Sequence, residues 1–314
     1  MTQIQKIQNM GIAVPCTAVP ILLWGMIMRI KAYAKINLAL DITGRREDGY
    51  HLLDMVMHTI SLCDILTLRQ GGDGLSVTCG RTDVPCGEEN TVYRAAEAFF
   101  RVIGQRPNLS IEIEKRIPSQ AGLAGGSADA AAALHALNRM YRAELPLETL
   151  CEIGLTVGAD VPFCVWGGSA RVQGIGERLE RAPLLPGGWL VVCKPPVGVN
   201  TKEAYRLADA QGGNSASRHT AKVMEALSQG SLAEVGASLG NAFEDILQLP
   251  EVETIKAGMR GCGAQGACMT GSGSAVYGLF DREEPAVACK ERLQGRYPET
   301  FVCLPISTPV DVLE

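Results

Sequence analysis

Pro118-Ser-Gln-Ala-Gly-Leu-Ala-Gly-Gly-Ser-Ala-Asp-Ala-Ala-Ala-Ala-Leu134 is the stretch on which the reading of this chain turns. Gly122, Gly125 and Gly126 lead into a predicted helix from Ser127 to about Arg142. Its apolar positions Ala130, Ala133, Leu134, Leu137 and Met140/Tyr141 recur at the spacing of one helical face. Bare N–H groups and the positive end of the helix dipole converge at such a start. Glycine adds close backbone approach, with no Cβ in the way. The stretch therefore reads as a cradle for the phosphates of a nucleotide. Leu109 to Arg116 alternates and delivers the chain into it, giving strand, loop and helix in the order that suits phosphate binding.

Outward from the loop, Ile30 to Leu40 alternates as a strand. Ile30, Ala32, Ala34, Ile36, Leu38 and Leu40 share one face; Lys31, Tyr33, Lys35, Asn37 and Ala39 share the other. Lys35 and Asn37 project side by side, either as a solvated edge or toward a ligand. Gly44 to His51 is a charged hairpin connection, and Tyr50-His51 at its exit is a pair able to flank a planar base. Leu52 to Ile60 is mostly apolar; Ser61 to Leu68 and Ser76 to Cys79 read as strands. Asn90 is placed to cap a helix from Thr91 to Ile103. Pro146 opens a helix to about Val157, followed by Gly158-Ala-Asp-Val-Pro162. Pro162 biases that stretch toward extended backbone. Asp160 there is either a turn residue or a general base facing the cradle.

Val165 to Arg181 reads as turns and strand, and Pro183 to Gly188 as a joint between domains. Beyond it come a strand, Trp189 to Cys193, and a helix starting at Asn200-Thr-Lys-Glu-Ala-Tyr205. A polar loop, Gln211 to Ser217, precedes helices near 220–227, 231–239 and 251–259. A second glycine-rich turn, Thr270-Gly-Ser-Gly-Ser274, runs into a strand; a helix, Glu284 to Gln294, and a strand near Val302 finish the chain.

The 314 residues suffice for two domains, and a net charge of -5 argues against general nucleic-acid binding. Eleven cysteines without a C-x-x-C pair read as reduced thiols of a cytoplasmic protein, and no structural metal is expected. The uncharged run Met10 to Met28, broken by Pro15 and Pro20, admits a membrane anchor, a signal peptide or a start at Met26 or Met28. The third is favoured, which makes residues 1–28 an extension outside the fold. No G-x-x-x-x-G-K-[ST] is present. Gly261 to Gly266 matches G-x-G-x-x-G, and Gly236 to Gly240 matches G-x-S-x-G. Neither has the strand-to-helix context its chemistry needs.

Five separated stretches, in order between Ile30 and Phe280, resemble the GHMP superfamily of small-molecule kinases. They are Ala34-Lys-Ile-Asn37, Thr43 to His51, Pro118 to Ser127, Gly158 to Pro162 and Thr270 to Ser274. Within it the resemblance is to the branch whose substrate is CDP-methylerythritol, and Tyr50-His51 points there. The resemblance implies an α+β, two-domain GHMP kinase fold. A nucleotide-binding α/β domain (29–182) and a ferredoxin-like domain (183–314) would flank the active site. Asp160 would be the base and Lys35 its cationic neighbour. Pro118, Ser119, Gln120, Ala121, Gly122, Leu123, Ala124, Gly125, Gly126, Ser127 and Ala128 would wrap the triphosphate of ATP, with Asn90 and Lys115 near the nucleoside. Asn37, Tyr50, His51, Thr201 and Tyr205 would bind the substrate. Ala124 and Ala128 stand where the family has a glycine and a serine, so a role toward Mg²⁺ falls back on Ser127. A monomer or homodimer without membrane attachment is implied. A kinase for homoserine, mevalonate or a sugar, or a silent nucleotide-binding regulator, are the competing readings.

Overall fold

The computed structural model describes residues 25–210 and 218–313. The apolar run from Met10 falls outside these up to residue 24, as does the polar loop 211–217. No helix among the described residues is long and apolar enough to cross a membrane.

The alternation around Lys35 belongs to a long strand, β1 (Ile27–Arg45), which turns into β2 (His51–Gln70). The two run antiparallel from Ile27 opposite Arg69 to Arg45 opposite His51. The segments 52–60 and 61–68 are thus one strand. Met28 is already buried in β1, which begins at Ile27, two residues before the expected boundary at Arg29. Both faces of β1 are covered: Ile30, Ile36 and Leu38 on one, Lys35 and Asn37 on the other. Lys35 is not a solvated edge charge.

β3 (Gly74–Cys79) lies parallel to β4 (Asn108–Glu114), and β4 pairs with the second half of β2. Four helices follow the strands of this part: α1 (Thr91–Ile103), α2 (Gly125–Met140), α3 (Leu147–Val157) and α4 (Val161–Trp166). β5 (Ser169–Gly174) then pairs with the first half of β2, and β6 (Arg178–Arg181) with β5. Ala128, Ala130 to Ala133 and Ala136 are all buried, so α2 fits closely between the sheet and its neighbouring helices. α4 departs from the extended backbone expected at Pro162. The proline sits in the first turn, where its missing N–H is not needed.

Between Arg181 and Trp189 the chain leaves this sheet for a second one. After β7 (Trp189–Cys193) come α5 (Thr201–Ala210), α6 (His219–Gln229), α7 (Leu232–Ser238), β8 (Gly240–Asn241), α8 (Ala242–Leu247) and α9 (Pro250–Gly261). Then follow β9 (Gly266–Met269), β10 (Val276–Phe280), α10 (Glu283–Gln294) and β11 (Thr300–Cys303). The four-stranded order is β11-β7-β10-β9, all antiparallel, with α9 against β9 and β10 and α10 against β7 and β11. This is the arrangement expected of a ferredoxin-like unit. The last strands depart from a continuous second domain: β12 (Pro305–Ile306) joins β2, and β13 (Val310–Val312) joins β1. Residues 183–314 therefore complete the first sheet as well as forming the second.

The joint is anchored by a buried imidazole. His58 on β2 donates through Nδ1 to Thr59 O at 2.8 Å and accepts at Nε2 from Leu185 N at 3.1 Å. Burial pushes its pKa down to about 4. In the unfolded chain an imidazole titrates near 6.5, so between those values the unfolded state binds more protons. His58 therefore destabilises the fold as pH drops from about 6.5 toward 4, by about 3 kcal/mol in all. Urea unfolding of His58→Gln should show a flatter dependence on pH across that window than the wild type.

Ala124, immediately before α2, has φ of 56° and makes no side-chain cap bond. The position that glycine occupies in the family pattern thus has left-handed backbone, which an alanine Cβ strains. Ala124→Gly should raise the unfolding free energy by about 1 kcal/mol, measurable by denaturant titration.

Candidate functional site

Two glycine-rich turns meet backbone to backbone. Gly122 has φ of 73°, and a Cβ there would lie 2.0 Å from Thr270 O. A Cβ on Gly271 would lie 2.9 Å from Gly122 Cα. Thr270 Oγ1 donates to Gly122 O at 3.2 Å, and Ala275 N donates to Ala121 O at 3.2 Å. Lys35 N donates to Leu123 O at 3.2 Å, so β1 is fixed to the same loop. Helix α2 starts directly above, its first intrahelical bond running from Ala128 N to Ala124 O at 2.8 Å. The N–H groups of Gly125, Gly126 and Ser127 precede that bond and have no side-chain cap. They fit a phosphate.

A cleft of about 1480 Å³ opens over this loop. Pro118 to Ser127 all line it, but Ala128 does not: it is buried in the core against the expectation that it wraps ATP. Thr91 Oγ1 donates to Gly126 O at 2.7 Å and ties the start of α1 to the cradle.

Lys35 is 2 % exposed, and its Nζ donates to Asn37 Oδ1 at 2.7 Å. Asp160 Oδ2 is 3.8 Å from the same Nζ. Asp160 occupies the N-cap position of α4 without capping it, which leaves its carboxylate turned to other partners. A buried ammonium, a half-open carboxylate and a phosphate cradle thus share one cleft. Asn37, expected as a substrate contact, lines the cleft and is also tied into the protein. Its Oδ1 also accepts from Gly271 N at 3.0 Å, its N donates to Thr270 Oγ1 at 3.0 Å, and its O accepts from Tyr277 OH at 2.9 Å. Fully buried, it orients Lys35 and binds β1 to the second glycine turn.

On the other wall, Thr201 and Tyr205 of α5 face Tyr50 and His51. Tyr50 is 61 % exposed, whereas the His51 ring stacks on Tyr205 at 4.5 Å with a 19° angle between planes. Phe243 meets Tyr205 edge-on at 5.1 Å. Burial first, and the Asp160 charge second, push the Tyr205 phenol up. Thr201 Oγ1 lies 2.9 Å from Ser272 Oγ, which ties the start of α5 to the second glycine turn.

Asn90 and Lys115 line the cleft, yet both are committed inside the protein. Asn90 caps α1 through Val92 N at 2.8 Å and donates to Pro85 O at 2.6 Å. Lys115 Nζ bonds Asp64 and, at 2.7 Å, Asp129 Oδ2. Its charge is thereby matched by two buried carboxylates, so it supports the loop from beneath. Burial pushes the Asp129 carboxyl up against the opposing pull of Lys115. Asp64 Oδ1 also accepts from Ile117 N at 2.8 Å. Neither aspartate was evident from the sequence; Asp129 stands within the decisive stretch, but nothing there marks it as buried.

The sequence matches GHMP kinases N terminal domain over residues 90–168 and GHMP kinases C terminal over residues 223–299. The 4-diphosphocytidyl-2-C-methyl-D-erythritol kinase of Exiguobacterium sibiricum is 42% identical over 281 residues, covering 88% of this chain and 97% of the relative. The enzyme of that name from Clostridium kluyveri is 40% identical over 277 residues, covering 88% and 99%. A crystal structure of 4-(cytidine 5'-diphospho)-2C-methyl-D-erythritol kinase superposes with a TM-score of 0.76 at 36% identity, covering 88% of this chain and 99% of that one. Homoserine kinase from Cytophaga hutchinsonii shares the fold at a TM-score of 0.72 and 19% identity, covering 91% and 97%. Motif order, architecture and these likenesses agree: the chain is a small-molecule kinase that belongs to the 4-diphosphocytidyl-2-C-methyl-D-erythritol kinase family of GHMP kinases.

Proposed function

We propose that the protein transfers the γ-phosphoryl group of ATP to the 2-hydroxyl of 4-diphosphocytidyl-2-C-methyl-D-erythritol, a step of non-mevalonate isoprenoid synthesis. The observation that carries this reading is the Lys35–Asp160 pair, 3.8 Å apart, set in the same cleft as the glycine cradle. The substrate oxygen forms a bond to the γ-phosphorus as the bond from that phosphorus to the bridging oxygen breaks, releasing ADP. Asp160 takes the hydroxyl proton, and the Lys35 ammonium offsets charge gathering on the transferred group. Asn37 fixes Lys35 through the 2.7 Å bond. The N–H groups of Gly125 to Ser127 hold the phosphates against the positive end of α2.

When bound with the triphosphate, Mg²⁺ would offset part of its charge. Ser127 Oγ, a hard oxygen donor lining the cradle, would stand beside such an ion. At the far wall Tyr50, His51, Tyr205 and Phe243 offer the cytosine an aromatic surface. These aromatics favour the cytidine substrate over homoserine, mevalonate or a sugar, which carry no planar base.

A coupled assay with ATP and Mg²⁺ across those four substrate types tests the assignment; ATP consumption only with CDP-methylerythritol is expected. Asp160→Asn should lower kcat by a factor of about 1000 while leaving ATP binding unchanged by calorimetry. Tyr50→Ala should raise KM for the cytidine substrate about tenfold, with KM for ATP within a factor of about two, since stacking on one base is worth roughly 1–3 kcal/mol.

A further inference from the structure

Gly240-Asn-Ala-Phe-Glu244 carries two polar side chains that do not line the cleft, yet both are tied to the strand end and turn that do. Asn241 is buried and ends β8, which runs parallel to β1 with Asn241 opposite Leu40. Its Nδ2 donates to Met269 O at 2.8 Å and to Gly271 O at 2.8 Å. Its Oδ1 accepts from Phe243 N at 3.0 Å and so caps α8. Both donors of the amide are in use, and its oxygen is aimed at the helix. Turned over, the amide would set that oxygen against two carbonyls, so it holds one orientation. Three residues on, Glu244 Oε1 accepts from Met269 N at 2.7 Å, and Lys256 Nζ lies 3.1 Å from its other oxygen. The last residue of β9 is thereby gripped at its C=O by Asn241 and at its N–H by Glu244.

Gly271 carries the consequence inward. Its O is held by Asn241, and its N donates to Asn37 Oδ1 at 3.0 Å. Asn37 Oδ1 also accepts from Lys35 Nζ at 2.7 Å, and that ammonium lies 3.8 Å from Asp160 Oδ2. Three hydrogen bonds thus connect the Asn241 carboxamide to the cation beside Asp160. Gly271 has φ of 58° and no side chain, so nothing of its own fixes the direction of its N–H. The bond from Asn241 supplies what the glycine lacks. Through Phe243 N, the same carboxamide sets the start of the helix whose Phe243 ring meets Tyr205 at 5.1 Å.

We infer that Asn241 is a positioning residue for phosphoryl transfer. By holding the carbonyls of Met269 and Gly271 it keeps the Gly271 N–H on Asn37, and through Asn37 it keeps the Lys35 ammonium in place beside Asp160. The inference rests on the transfer reading above, in which Lys35 offsets charge on the moving group. Without the two bonds the glycine turn is free to rotate, the Asn37 amide loses a donor, and the ammonium shifts. A shift of about 1 Å in such a group costs about 100-fold in rate. The cradle N–H groups and the aromatic wall hold the two substrates at rest, so the loss falls on kcat rather than on KM. Two orphaned carbonyls also lower stability, as at any buried amide. The rate per folded site is therefore the quantity that separates positioning from mere support.

The test uses the full chain with ATP, Mg²⁺ and CDP-methylerythritol, and counts folded sites by calorimetric titration with a non-hydrolysable ATP analogue. Asn241→Asp keeps the shape and the oxygen that caps α8, and sets a second oxygen against both carbonyls. Asn241→Ser keeps a capping oxygen, adds no charge and loses the amide donors. Each should lower kcat per titrated site by about 100-fold, with KM for either substrate within about threefold of the wild type. A kcat per site within about threefold of the wild type in either variant overturns the role of Asn241, as does a loss confined to KM. Independently of any variant, NMR of the wild type should show both carboxamide protons of Asn241 exchanging slowly with solvent. Fast exchange overturns the grip on the turn even if both variants fail to fold. A wild type that consumes no ATP with CDP-methylerythritol overturns the substrate reading alone, and the grip of Asn241 is then decided by the exchange rates.

Discussion

The contact between Gly122 and the Thr270–Gly271 peptide is the constraint on which the site is built. Two stretches of backbone approach so closely that a single added carbon on either side would overlap the other. Sequence-distant halves of the molecule are thereby held in one register, and the consequences pass outward through hydrogen bonds. Leu123 fixes the main chain of Lys35, Gly271 and Thr270 fix the amide of Asn37, and Asn37 fixes the ammonium of Lys35. The glycine cradle and the ammonium beside Asp160 are positioned by the same few atoms.

The protein meets a polyanion with a net negative chain. It does so with local charge rather than a basic surface. Lys35 is buried and oriented, and backbone N–H groups at α2 supply the rest. Another cation of the cleft, Lys115, is paired with Asp64 and Asp129, which turns it from a contact into a foundation. Burying that charge without both carboxylates would be costly.

Much of this was legible in the residues. Asn90 as a cap, α1 from Thr91 to Ile103, the alternation around Lys35 and the helix after the glycine loop follow from local periodicity and capping, and the structure places them accordingly. What stayed hidden depends on contacts between distant segments. Pro162 read as extended because its effect on the preceding residue was weighed, while its tolerance in a first helical turn prevailed. No pattern in the sequence reveals that the Asn37 carboxamide also meets Gly271 and Thr270. The ion pairs that hold Lys115, expected near the nucleoside, were hidden for the same reason: its two aspartates lie on β2 and α2.

The return of β12 and β13 to the first sheet bears on how the molecule is made. Ile30 to Ala32 find their pairing partners in Val310 to Val312, and Thr59 and Ile60 find theirs in Pro305 and Ile306. On the ribosome, the leading half of the polypeptide must wait with a sheet edge open until nearly all of the rest has emerged. Pairings of such long sequence separation form late and slowly. The nascent enzyme is therefore most vulnerable to sticking to its neighbours during that interval, before its last strands close the seam.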